Sequence, residues 1–120
     1  MRPLTSRERS VIAAMLERAP AVGPDAHVSD ADRNRWADQL PVTWAGEACS
    51  CGTCPSINLT DSSGRPSDSW QSRTILEAAC DDGWLFLFIH DDRLSYLELA
   101  PISDDGRAEF PDPGGVFVGT

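Results

Sequence analysis

Three cysteines fall within six residues, Cys49-Ser50-Cys51-Gly52-Thr53-Cys54, and they are the densest chemistry in the chain. Thiolate is a soft ligand that zinc favours, and three thiolates leave a tetrahedral site one donor short. Cys51 and Cys54 have the spacing of a zinc knuckle, with Gly52 able to take the tight bend between them. Cys80 or His90 would supply the fourth ligand through a tertiary contact. Other uses of the same thiols stay open. They could pack as small hydrophobes, close a disulfide between Cys51 and Cys54 or with Cys49, or work as a redox dithiol. The zinc expectation lacks a second CxxC or HxxxH pair. The redox one lacks the helix N-terminus that lowers a thiol pKa, because Pro55-Ser56-Ile57-Asn58-Leu59-Thr60 reads as a strand.

For hydrolysis the inventory is thin. Only His27 and His90 are present, with no nucleophile elbow and no HExxH. His90 beside Asp91 and Asp92 imitates a base with an orienting carboxylate, yet a polar strand end entering a turn accounts for the same residues. The acid pairs Asp81-Asp82, Asp91-Asp92 and Asp104-Asp105 fall at expected turns and do not fit an EF-hand loop. The glycines form no phosphate-cradling motif. No catalytic residue is assigned.

Charge is more informative. The chain carries a net −9. Residues 1–40 hold six arginines and six acids and sum to zero, so the four arginines and thirteen acids of 41–120 carry all of it. Such a field repels phosphate backbones and anionic membranes and attracts basic partners. Trp36, Trp44, Trp70, Trp84 and Tyr96 lack the interleaved basic residues of a nucleic-acid stacking platform. The field serves solubility, or else a docking surface for a basic protein, with Asp81, Asp82, Asp91 and Asp92 as candidate partner-binding residues. No apolar run approaches a membrane span, and residues 1–9 hold no apolar stretch of signal-peptide length, so a cytoplasmic protein with reduced thiols is expected.

These groups must be positioned by a single α+β domain over 1–120, with a helical part at 1–40, an antiparallel sheet at 41–100 and an irregular tail at 101–120. Thr5-Ser6-Arg7-Glu8 fits a capping box. Val11, Ile12, Met15, Leu16 and Ala19 then form one apolar stripe, ended by Pro20. Ser29 caps a second, short helix bearing Trp36 and Leu40, which Pro41 closes. Beyond it the β-type runs are 42–49, 55–60, 73–80, 84–90 and 94–100, which predict an antiparallel sheet of four to five strands under the two helices. Residues 73–80 also suit a helix, but their brevity and flanking turns favour a strand. Trp84-Leu85-Phe86-Leu87-Phe88-Ile89 is apolar on both alternating faces and is expected to be central. Phe110, Val116 and Phe117 are expected to anchor the tail.

The start Leu4-Thr5-x-Arg7-Glu8-Arg9, the cysteine and glycine cluster running into Pro55-Ser56-Ile57-x-Leu59, and the stretch Leu85-Phe86 to Arg93-Leu94-Ser95-Tyr96-Leu97-Glu98-Leu99 together resemble a set of small uncharacterised actinobacterial proteins. That resemblance covers about half the chain and implies a standalone domain with no assigned activity.

The functional expectation is a small non-catalytic acidic protein that binds a partner protein, as an inhibitor or immunity protein does. A zinc-stabilised accessory or regulatory domain is the alternative, and a thiol-dependent redox enzyme the second.

Overall fold

The computed structural model of the chain describes residues 2–22, 27–48, 55–60, 73–80, 83–90, 92–101 and 110. The expected capping box is formed. Thr5 Oγ1 accepts from the Glu8 amide at 3.1 Å, and Glu8 Oε1 accepts from the Thr5 amide at 2.8 Å. Helix α1, Ser6–Arg18, starts there and buries Val11, Ile12, Met15 and Leu16. Glu8 itself is buried. Burial pushes its carboxyl up, but two 2.8 Å hydrogen bonds from Arg2 and the one from the Thr5 amide outweigh it and hold the pKa below the ordinary value.

Helix α2, Asp30–Ala37, begins with a second reciprocal box between Ser29 and Asp32. Its Arg33 donates to the Leu16 carbonyl at 2.9 Å and the Ala19 carbonyl at 2.8 Å. Those carbonyls lie at the end of α1, where acceptors lack intrahelical partners and a cation is favoured. One helix therefore caps the other. A 3-10 turn, Leu40–Val42, follows and contains Pro41.

The sheet consists of β1 (Arg2–Pro3), β2 (Trp44–Ala48), β3 (Ile57–Thr60), β4 (Arg73–Cys80), β5 (Gly83–His90) and β6 (Arg93–Pro101). It is antiparallel throughout, in the order β1-β2-β3-β6-β5-β4. Six strands form where four to five were expected. The addition is β1, whose two residues are too short to show alternation. Pro3, which lacks an amide hydrogen, sits on the edge strand, where that loss costs least. Each of the five expected runs contains a strand, including 73–80. The meander holds for β4, β5 and β6, but β3 pairs with β6 and not with β4. Strand β5 lies between β6 and β4, one place in from the edge.

The core sits between the helices and one face of this sheet. Leu76, Ala78 and Cys80 of β4, Leu85, Leu87 and Ile89 of β5, Leu97 and Leu99 of β6, and Ile57 and Leu59 of β3 meet Met15, Leu16 and Trp36. Phe110 joins them, 2% exposed, and its carbonyl accepts from Arg7 at 3.1 Å. Val116 and Phe117 lie outside the described residues. The free edge of β4 is partly covered by Pro20–Val22. The Val22 amide donates to the Ile75 carbonyl at 2.8 Å, and the Glu77 amide donates to the Pro20 carbonyl at 3.0 Å. Covering an edge in this way removes a template for strand addition.

Candidate partner-binding face

The cysteine cluster at Cys49, Cys51 and Cys54 and the acids Asp81, Asp82 and Asp91 lie outside the described residues. The sheet register nonetheless places the two expected fourth ligands. Cys80 is opposite Gly83, which is opposite Pro101, whereas His90 is opposite Arg73 and Arg93 at the other end of the strands. Ala48, just before the cluster, pairs with Ile57, and through Leu97 and Leu87 this level reaches Leu76 in mid-strand, three residues from His90 along β5 and four from Cys80 along β4. Neither expected fourth ligand shares the level of Ala48. Cys80 also sits three strand spacings from β3, about 14 Å. It is 6% exposed and its Sγ donates to the Gly83 carbonyl at 3.5 Å. Among the described residues, no group of three His, Cys, Asp or Glu side chains stands close enough to hold a metal ion.

His90 Nδ1 and Ser95 Oγ lie 2.8 Å apart, the spacing of a base and a nucleophile. Both residues are buried, at 5% and 9% exposure, so the pair is closed to a substrate. Ser95 is the extra residue of a register shift after Phe88. The pair ties this shift to the end of β5, and the His90 ring packs edge-on to Phe88 with centroids 6.4 Å apart.

Asp92 follows at the hairpin tip and takes the left-handed conformation, φ 67°, which Asp tolerates better than most residues. Its carboxylate accepts from Arg35 Nε, from Arg35 Nη2 at 2.7 Å and from Trp36 Nε1 at 2.7 Å. Gln39 donates to the Asp92 carbonyl at 2.6 Å and accepts from the Leu94 amide at 3.1 Å. The hydrogen bond from Arg35, more than that from Trp36, holds the Asp92 carboxyl below its ordinary pKa, and Arg35 also lowers Asp32. Asp92 was expected among the docking acids. Its carboxylate is engaged by Arg35 and Trp36, which ties the β5–β6 hairpin to α2.

The face of the sheet turned away from the helices is of another character. Along β5 it carries Trp84, Phe86, Phe88 and His90, each flanked by a partner on either side. Trp84 stands between Ala79 and Ala100, Phe86 between Glu77 and Glu98, Phe88 between Ile75 and Tyr96, and His90 between Arg73 and Arg93. Tyr96 meets Phe88 edge-on, with centroids 5.8 Å apart at 86°. Trp84 is 46% exposed, while Phe86, Phe88 and Tyr96 are half-buried. The carboxylates of Glu77 and Glu98 have no hydrogen-bond or ion-pair partner among the described residues. Both α1 and α2 pack on the opposite face.

Sequence reasoning read the double-sided apolar run of β5 as a buried strand and so passed over this row. Two short helices can cover one face of such a sheet, and that count was the available signal. A hollow of about 560 Å³ between α1 and α2 is lined by Leu16, Glu17, Asp30, Arg33, Asn34 and Leu40 among others, but the Arg33 guanidinium there is committed to the carbonyls of α1.

Comparison with protein-family models, with curated proteins and with solved structures returns no match. Among the described residues, no helix is long and apolar enough to cross a membrane.

Proposed function

We propose that this chain works without catalysis, by binding a basic protein partner in the manner of an inhibitor or immunity protein. Support comes chiefly from the outer face of β4, β5 and β6, where an aromatic row is bordered by two carboxylates with no partner among the described residues. Aromatic side chains are enriched at protein interfaces, and a partly exposed Trp such as Trp84 is a typical anchor. The net charge of −9 adds long-range attraction for a cationic partner and accelerates encounter. The one base–nucleophile pair among the described residues, His90 with Ser95, is buried, which favours binding over hydrolysis.

Purification of the tagged chain from its native cells, at low and at moderate salt, tests the proposal. A stoichiometric complex with a basic protein that dissolves as salt rises is the expected result. Recovery of the chain alone at both salt concentrations would overturn it.

A further inference from the structure

We infer that the partner docks on the outer face of β4, β5 and β6 and lays an arginine or lysine side chain over Phe86 and Trp84, between Glu77 and Glu98. This rests on the partner-binding proposal and assigns its surface. The row geometry carries the assignment. Glu77 and Glu98 are the two cross-strand neighbours of Phe86, so their Cα positions are two strand spacings apart, about 10 Å, with the ring between them. A cation centred on the ring lies within reach of both carboxylates and within the roughly 6 Å at which an aromatic face attracts it. Trp84, two residues along the same strand and the best aromatic for such contacts, extends the platform. A planar guanidinium can stack on the rings while its fork engages a carboxylate, so arginine fits better than lysine.

Neighbouring rows set the orientation. Ile75, Phe88 and Tyr96 offer an apolar strip beside the acidic row, suited to an apolar residue next to the cation. Beyond it, Arg73 and Arg93 stand on either side of His90. A second copy of this chain is a poor occupant, since two molecules of charge −9 would meet with like fields and their acidic rows would remain unmatched. The Asp92 carboxylate, already held by Arg35 and Trp36, competes weakly for the same partner.

The test is a ¹H–¹⁵N NMR titration of the full chain with a hexa-arginine peptide, with hexa-citrulline as the neutral isostere. The expected result is that shifts concentrate at 75–79, 84–88 and 96–100 and are absent with citrulline. The double variant Glu77→Gln and Glu98→Gln should weaken binding about fivefold, and Trp84→Ala about threefold, in keeping with exposed ion pairs and cation–π contacts. Both variants should keep wild-type spectral dispersion, because the substitutions lie on the outer face. Equal binding of citrulline, or undiminished binding by the glutamine variant, would overturn the cationic docking site. Shifts confined to residues 81–82 and 91–92 would overturn this surface while leaving a basic partner in place. Absence of any binding at low salt would overturn the partner-binding proposal as well.

Discussion

At the scale of single residues, Asp92 shows how one side chain changes role when its surroundings are known. As part of an acid pair in a turn it reads as a solvated charge. In the fold it is the centre of a lock, accepting from Arg35 and Trp36 while its backbone carbonyl accepts from Gln39. Asn tolerates the left-handed conformation too, so Asp92→Asn removes the charge without backbone strain. With the carboxylate half exposed, the expected loss is about 1–2 kcal/mol at pH 7, measured by urea denaturation. The pH dependence has a definite sign. A carboxyl whose folded pKa is depressed stabilises fully above its unfolded value of about 3.9, and the contribution is lost as pH falls through the folded pKa. Wild type and variant should therefore converge in stability below the folded pKa, and an undiminished gap there would refute the ion-pair account. The turn itself was legible, because His90-Asp91-Asp92-Arg93 separates two apolar runs. Its partners were not, since Arg35 and Trp36 are 57 and 56 residues away and belong to another element.

Among the elements, legibility follows sequence distance. Both capping boxes are contacts between residues three apart, so the starts of α1 and α2 could be read directly. The strand character of 73–80 was likewise visible, and its alternation of Leu76, Ala78 and Cys80 inward with Ile75, Glu77 and Ala79 outward explains why helix propensity lost. Strand β1 escaped notice because it is two residues long, and the β3–β6 pairing because nothing local distinguishes it from a simple meander. The capping of α1 by Arg33 is of the same tertiary kind. Arg33→Met keeps the aliphatic stem but leaves the Leu16 and Ala19 carbonyls without this donor, and should cost about 1–2 kcal/mol in thermal or urea denaturation. A change within about 0.3 kcal/mol, as for an ordinary surface substitution, would show that water replaces the guanidinium without cost.

For the whole molecule, the sheet is asymmetric. One face is closed by two helices and Phe110, while the other keeps Trp84, Phe86, Phe88 and Tyr96 in rows with Glu77 and Glu98. Both parities of β5 are apolar in sequence, and only the placement of the helices decides which is core and which is surface. The acidic excess of residues 41–120 was legible, but that Glu77 and Glu98 stand on either side of Phe86 depends on the register of β4, β5 and β6. Position, more than total charge, is the central claim. It is tested most directly by two variants that each remove two negative charges, Glu77→Gln with Glu98→Gln and Asp81→Asn with Asp82→Asn. Calorimetric titration with the hexa-arginine peptide at moderate salt, where the screening length is about 8 Å, compares them. The account predicts about fivefold weaker binding for the glutamine pair and less than about a twofold change for the asparagine pair. An equal loss in both would contradict it, leaving only a diffuse acidic field.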